Sequence, residues 1–320
     1  MLRASVVIPT YRRRASLLRA LGALATQRIP PSEYEVVVVV DGSDDGTREA
    51  AAAAVTPYAL RVLWQENRGR AAACNAGIAA ARGDLVVVLD DDMTATPELL
   101  AAHLAAHDRA EPVAVIGAAP VPMTAHMPPP ARYVGAKFNR HLERLAEAGG
   151  PLALREFYGG NLSVKREVLE EVGAFDERFT VYGNEDLELS IRLQEAGVLI
   201  VYEPGAVAYQ SYDKDFSALA RDHEAKGRTA VVLARKHPAV RGALRLGAAG
   251  GEPVARRGAL AVLLGASRAL PSLRERLVRF VAWLGERRPA LALRFYPLVL
   301  DFCYWCGVRA ASGEREAGSP

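Results

Sequence analysis

Five consecutive valines at residues 36–40, closed by Asp41-Gly42, constrain this chain more than any other feature. A β-branched run with no polar residue on either parity suits a strand buried on both faces, and such strands belong to parallel sheets covered by helices. The surroundings agree. Apolar runs at 5–8, 60–64 and 85–89 alternate with alanine-rich helical stretches at 15–25, 47–55 and 71–81. The order βαβαβαβ predicts a doubly wound, mostly parallel α/β sheet flanked by helices. In such sheets the ligand crevice lies at the carboxyl ends of the strands. Polar residues follow those ends directly, as Pro9-Thr10-Tyr11, Asp41-Gly42-Ser43 and Asp90-Asp91-Asp92.

Composition excludes several alternatives. Of 320 residues, 50% are hydrophobic and 24% charged, which rules out wholesale disorder, collagen and coiled coil. Three cysteines are too few for a disulfide scaffold, and a reducing, cytoplasmic setting is expected. The start, MLRASVVIPTY, offers too short an apolar run for a signal peptide. The uncharged stretch 113–131 contains five prolines and reads as a loop rather than a membrane span.

The net charge of +3 is unevenly spread: residues 241–310 hold twelve Arg against four acids, whereas residues 1–240 carry −4. Two parts are expected, a slightly acidic body over 1–240 and a basic helical extension over 241–310, with a disordered tail at 311–320. Leucines and valines at helical spacing through 258–284 are bordered by Arg268, Arg274, Arg276, Arg279, Arg287 and Arg288. Phe295, Tyr296, Phe302, Tyr304 and Trp305 lie beyond. Basic amphipathic helices with interfacial aromatics suit anionic headgroups, so 258–308 is expected to make peripheral contact with the inner face of the cell membrane. A span is not expected, because 258–267 ends at Arg268 and 295–308 is interrupted by Asp301. Packing on the body, or a homodimer contact, is the competing reading.

Three adjacent carboxylates at the end of one strand repel unless a cation neutralises them. Hard ions such as Mg²⁺ or Mn²⁺ take oxygen ligands, typically one or two carboxylates plus substrate phosphates. An Asp triplet solvated in a turn is the plainer alternative. Gly69-Arg70, ahead of the 71–81 helix, could admit a phosphate to backbone N–H groups and add a charged donor. No G-x-G-x-x-G follows the first strand, so a dinucleotide fold is unsupported. Asn184 reads as the cap of a helix with Leu187, Ile191 and Leu193 inward, which places Glu185 and Asp186 in its first turn. There they either complement the helix dipole or supply a general base facing the crevice. Arg12-Arg13-Arg14 either steers an anion or is a solvated helix start. His103 and His107 read as a solvated face, and Cys303 and Cys306 as buried free thiols.

The segments SVVIPTYRR, VVVVVDGSDDGT, NRGRAAACNAG, GDLVVVLDDDM, YGGNLSVKR, VGAFDERF and YGNEDLELSIRLQEAG occur in that order over residues 4–203. Together they resemble the successive motifs of the family 2 glycosyltransferases. The resemblance implies a GT-A catalytic domain over 1–240, with a nucleotide-sugar-binding half at 1–118 and an acceptor-binding half at 119–240. It also implies transfer of a sugar from a nucleotide diphosphate to an acceptor hydroxyl, with inversion and with Mg²⁺ or Mn²⁺. The acceptor would be a lipid-linked or glycan hydroxyl in envelope glycan, glycolipid or other glycoconjugate synthesis; no nucleic-acid partner is implied. By the same resemblance Pro9, Thr10, Tyr11, Arg13, Asp41, Asn67, Arg70, Asp90 and Asp91 bind the nucleotide sugar. The D-x-D motif falls on Asp90 and Asp92, which would hold the metal. Gly159, Gly160 and Asn161 match the donor-sugar and acceptor loop, Asp186 the catalytic base and Glu185 an acceptor ligand. Two positions depart from the family: Cys74 stands where many relatives have Arg, and residues 208–212 lack the His that many place there, leaving His223 either as a substitute or, the preferred reading, as a surface helix residue. The rivals are a sugar-phosphate nucleotidyltransferase and an inactive sugar-nucleotide-binding protein.

Overall fold

The computed structural model describes residues 2–150, 152–244, 246 and 254–313. In chain order it contains β1 (Ala4–Thr10), α1 (Arg14–Leu24), β2 (Tyr34–Asp41), α2 (Thr47–Ala52), β3 (Ala59–Gln65), α3 (Arg70–Ala80), β4 (Leu85–Leu89) and β5 (Met93–Ala95). Next come α4 (Leu99–Ala106), β6 (Val113–Ala118), α5 (Pro129–Ala148), β7 (Asn161–Lys165), α6 (Arg166–Val172), α7 (Glu185–Glu195) and β8 (Leu199–Gln210). The last are α8 (Phe216–Lys236), α9 (Val254–Ala269), α10 (Leu273–Arg287) and α11 (Pro289–Gly313).

These form two compact units, one of Met1–Pro122, Gly135–Thr180 and Glu185–Tyr212, the other of Met123–Val134, Val181–Asn184 and Asp213–Pro320. The first unit holds an eight-stranded sheet in the order β3-β2-β1-β4-β7-β6-β8-β5. β3, β2, β1 and β4 are mutually parallel. Beyond β4 the sheet is mixed, because β7 runs antiparallel to both neighbours and β5 antiparallel to β8. The chain winds outward from β1 through β2 to β3, then returns to place β4 on the other side of β1. The switch point therefore lies between β1 and β4, where ligands of such sheets bind.

The valine run behaves as its composition demands. Val36, Val38 and Val40 face one helical layer with Leu17, Leu21 and Leu24. Val37 and Val39 face the other with Ala73. All five are fully buried, each contributing about 1.5–3 kcal/mol from removal of its side chain from water. The small residues of α3 let it lie close on the sheet: a Cβ added at Gly77 would stand 2.3 Å from Val7 Cγ1.

Several elements differ from expectation. The run at 60–64 lies in an edge strand with only partial burial, so its apolar character covers one flank. β1 does not stop at Pro9 but continues to Thr10; the ladder to β4 has already ended at Val7, and the imide is tolerated. The stretch expected to be a loop at 113–131 begins with β6, a fully buried strand. The 20-residue α5 follows from Pro129, a position where proline's missing N–H is harmless. On α7, Leu189 is more deeply buried than Leu187.

In the second unit, α8 and α11 cross with their backbones in contact. A Cβ at Gly227 would stand 2.0 Å from the Tyr304 carbonyl oxygen, and one at Gly307 2.0 Å from that of Glu224. Tyr296 and Phe302, expected at a membrane interface, are instead fully buried, with the Phe216 ring tilted against Tyr296 at a centroid distance of 4.3 Å. Cys303 is buried and Cys306 partly so, both as free thiols. Asp301 lies within α11 and pairs with Arg256. At 25 residues, α11 is long and apolar enough to cross a membrane by length and composition, contrary to expectation, although much of its surface packs within this unit. Of the tail expected at 311–320, residues 311–313 close α11 and the rest lies outside the described residues.

Overpacking of a tight contact costs roughly 1–3 kcal/mol. Gly307→Val should lower the thermal midpoint accordingly, whereas Gly265→Ala, with nothing within 4 Å of its added Cβ, should leave it unchanged or slightly raised. Equal midpoints for Gly307→Val and the parent would show that the α8–α11 crossing is looser than described.

Candidate active site

The carboxyl ends of β2, β1 and β4 bring together Asp41, Thr10 and the aspartate triplet. Thr10 Oγ1 donates to Asp91 Oδ2 at 2.7 Å, bridging the switch point. Asp41 is buried at the end of β2 and already well supplied with donors. Its Oδ1 accepts from Gln65 Nε2 (2.8 Å) and Arg68 N (2.9 Å), and Oδ2 from Gly69 N (2.9 Å). The backbone N–H groups entering α3, expected to cradle a phosphate, are thus turned onto a buried carboxylate that needs them more. Asn67 Nδ2 donates to the Asp41 carbonyl. Its backbone lies where a Cβ at Gly42 would fall, 2.7 Å away, and Gly42 has φ +74°, so only glycine fits.

Two arginines answer the charge of the triplet. Arg70 donates to Asp90 Oδ1 through Nη2 (2.8 Å) and Nε (3.1 Å), and also reaches the Gly159 carbonyl (2.8 Å). Its other Nη lies 3.5 Å from Glu185. Arg13 pairs with Asp92 Oδ2 at 2.9 Å and stands 3.5 Å from Asp91. Asp91 is the most enclosed of the three; burial pushes its carboxyl up to about 7, the charges of Asp92 and Asp90 add to this, and Thr10 and Arg13 oppose it. Arg12 occupies the left-handed region at φ +53°, a strained conformation for a side chain of its size. It donates its N–H to Ser43 Oγ while Tyr11 stays exposed at the rim. Pro9, by contrast, lies inside β1 opposite Val39.

The facing wall comes from the start of β7 and the first turn of α7. Gly160 leaves no room for a side chain, because its Cβ would fall 2.8 Å from Asp90 Oδ2, and its carbonyl accepts from Asp90 N. A Cβ at Gly159 would fall 3.0 Å from that of Asp186. Two backbone N–H groups hold the Asp186 carboxylate, Gly159 at Oδ2 (3.1 Å) and Leu187 at Oδ1 (2.8 Å). Glu185 is buried while Asp186 is only partly so. Burial pushes the Glu185 carboxyl up to about 7, Asp186's charge adds to it, and Arg70 pulls the other way. The amide of Asn184 donates to Lys226 O and Thr229 Oγ1. Cys74 is buried in α3, its thiol raised to about 12 by burial.

Asn161 turns away from this wall into the protein. It is fully buried and donates to the carbonyls of Ala118 and Ala206. Its Oδ1 meets His103 Nε2 at 2.9 Å, so that nitrogen carries the proton. His103 Nδ1 then accepts from Ser163 Oγ (2.8 Å), which in turn accepts from His107 Nε2 (2.9 Å). The two histidines expected on a solvated face are therefore buried anchors of β7. Their four-residue spacing marks one helix face but not which face, and the sequence held no signal for their partners. Burial lowers both to about 4. His223, in the second unit, bonds the Leu219 carbonyl of its own helix.

Because an unfolded histidine has a pKa near 6.5, the unfolded chain binds more protons than the native one between about 6.5 and 4. These two histidines therefore withdraw stability as pH falls through that window. Asp91 and Glu185, raised in the native state, act in the opposite sense. The histidine contribution is isolated by subtraction: His103→Gln/His107→Gln should lose less thermal stability between pH 7 and 4.5 than the parent. Parallel pH–midpoint curves would contradict neutral buried histidines.

Residues 5–173 match the protein-family description "Glycosyl transferase family 2", and residues 140–212 match "N-terminal domain of galactosyltransferase". Validoxylamine A glucosyltransferase of Streptomyces hygroscopicus subsp. limoneus is 31% identical, the match covering 74% of this chain and 57% of that protein. Its counterpart from subsp. jinggangensis is 30% identical, with 74% and 61% covered. The chain thus spans under two thirds of the length of these relatives. Among solved structures, mannosyltransferase PcManGT of Pyrobaculum calidifontis, in complex with GDP-Man and Mn²⁺, superposes with TM-score 0.66 at 24% identity, covering 98% of this chain and 88% of that one. S. aureus TarS 1–349 in complex with UDP-GlcNAc gives 0.57 at 16% identity, covering 99% and 92%. These likenesses establish the GT-A fold.

Proposed function

This chain belongs to glycosyl transferase family 2, and on that premise we propose that it moves a sugar from a nucleotide diphosphate donor to an acceptor hydroxyl with inversion. The observation that carries the reading is the pairing of two walls within one unit. The aspartate triplet at the switch point, charge-balanced by Arg13 and Arg70, faces the Gly159-Gly160 backbone and the Asp186 carboxylate. The names of the relatives, a glucosyltransferase and a mannosyltransferase with a nucleotide sugar, support the substrate class.

Asp186 is the proton acceptor in this reading. Its carboxylate is oriented by two backbone N–H groups at a rigid helix start and is more accessible than Glu185. Such positioning favours attack by a hydroxyl whose proton leaves as the new bond forms. Glu185, raised to about 7, exchanges a proton near neutrality and suits a hydrogen bond to the acceptor. Tyr11 at the rim offers a ring face to the nucleoside, and Arg70 and Arg13 offer charge to a diphosphate. The mechanism is direct displacement, in which the base and the leaving group lie on opposite sides of the sugar.

The donor set at the triplet fits a hard divalent ion. Asp92, with Asp90, supplies carboxylate oxygens, and among the described residues no three His, Cys, Asp or Glu side chains are arranged to hold a metal by themselves. The segment where many relatives place a His lies beside the triplet, since Ser211 N donates to the Asp92 carbonyl, but it offers a serine. One or two carboxylates, with the remaining ligands from diphosphate and water, is the usual arrangement for Mg²⁺. When bound, Mg²⁺ or Mn²⁺ would stabilise charge on the departing diphosphate.

Two variants test the assignments. A thermal-shift screen of nucleotide diphosphates and their sugars, with and without Mn²⁺, first identifies the donor. Asp186→Asn should then lower transfer by about 10²–10⁴-fold with donor affinity almost intact; turnover equal to the parent would remove Asp186 from the base role. Asp92→Ala should abolish the Mn²⁺-dependent increment of nucleotide diphosphate binding in calorimetry. Survival of that increment would place the metal elsewhere.

A further inference from the structure

The second unit presents a surface that the sugar-transfer reading does not use. On α10, Arg276, Arg279, Phe280, Trp283 and Arg287 are all exposed. At 100° per residue they fall within about 60° of one line along the helix. Phe280 and Trp283 are about half exposed (51% and 49%) and stack with ring centroids 6.1 Å apart. The Arg287 guanidinium lies 4.7 Å from the Trp283 ring. The opposite face of the same helix supplies Val281 and Leu284 to the interior, so the stripe is not a misplaced core. Exposed Arg288, Leu291, Arg294 and Phe295 continue the pattern into the first turns of α11.

The charge of this surface decides what it fits. Glu275 and Glu286 lie to one side of the stripe, and Glu286 stands 3.6 Å from Arg287. Arg276 and Arg279 have no ion pair among the described residues. A second copy of the chain, meeting this face across a twofold axis, would set arginine stripe against arginine stripe and bury like charges. A sheet of anionic headgroups neutralises the arginines while the two rings enter the headgroup–acyl boundary. In water the two rings contact each other and Trp283 contacts Arg287, but both stay half exposed, and Arg276 and Arg279 meet no counter-charge among the described residues.

We propose that the exposed face of α10, continued by the start of α11, docks this protein on an anionic lipid bilayer, with Phe280 and Trp283 inserted and Arg276, Arg279 and Arg287 at the headgroups. The contact is peripheral for this face and independent of whether the active-site reading holds. It places the protein where a lipid-linked acceptor would be found.

Co-sedimentation of the full chain with phosphatidylcholine vesicles, with and without phosphatidylglycerol, tests it. The parent should pellet with the anionic vesicles and be released by high salt. Arg276→Gln/Arg279→Gln/Arg287→Gln should bind on the order of 100-fold more weakly, at about fivefold per arginine. Trp283→Phe, which keeps an inserted ring, should still pellet but lose the part of the fluorescence quenching by brominated lipid that Trp283 contributes. Circular dichroism of each variant confirms that the helices are intact. Recovery of the parent in the supernatant with both vesicle types overturns the proposal, as does unchanged binding by the triple variant. A parent that ignores vesicles but loses a dimer in size exclusion on Trp283→Ser would assign the face to a second copy instead.

Discussion

The candidate site depends on one cation. Arg70 is enclosed within the first unit and faces Asp90, Glu185 and the Gly159 carbonyl at once. Three acceptors from β4, α7 and the β7 approach would repel one another if brought together alone, and in a poorly solvated crevice that repulsion is strong. A planar guanidinium with five donors can serve all three, which a lysine's point charge could not do in fixed geometry. Arg13 plays the corresponding part for Asp91 and Asp92. In the reaction proposed above, a nucleotide diphosphate would meet carboxylates already oriented by these two side chains.

Close backbone approach is the second constraint, and it recurs at the places that matter. Gly160 sits against Asp90, Gly42 against Asn67 and Gly77 against Val7. In the second unit, Gly227 and Gly307 bring α8 and α11 together at backbone distance. In each case a methyl group would occupy space already filled by backbone or a packed side chain, so the glycine is required by its neighbours. At Gly160 the consequence is chemical: the wall opposite the triplet is main chain, whose carbonyl fixes Asp90 through its N–H.

The buried polar line His107–Ser163–His103–Asn161 shows how the scaffold anchors that wall. β7 carries Asn161 and Ser163 on the face turned to α4, and both side chains are hydrogen-bonded to its histidines. The neutral His103 imidazole acts as donor and acceptor at once and His107 as a donor, an arrangement that costs little only while both remain uncharged. The motif residue Asn161 thereby fixes the strand, and the adjacent glycines make the approach to the crevice.

Much of the first unit was legible in the sequence because local pattern and burial coincide there. The valine run, the runs at 5–8 and 85–89, and the acidic or polar residues after each strand sufficed for a sheet with its crevice at the strand ends. Asp41 and the aspartate triplet were singled out by their position after strand ends, and Glu185-Asp186 by its place in a helix's first turn, although position alone left open whether that pair serves the helix dipole or the crevice. What spacing left open was direction and partnership. His103 and His107 share a helix face whether it looks to solvent or to β7, Tyr296 and Phe302 suit a membrane interface as well as a core, and the run at 60–64 looks the same at a sheet edge as inside it. Those outcomes depend on which elements, distant in the chain, come to lie alongside, and only the tertiary structure fixes that. The sequence by itself determined that the valine run and its neighbours at 5–8 and 85–89 form the buried centre of a sheet, with carboxylates at the ends of the strands at 36–40 and 85–89; the fold decided that Arg13 and Arg70 hold the aspartate triplet, that Asn161 points inward, and which helix face of the second unit remains outside.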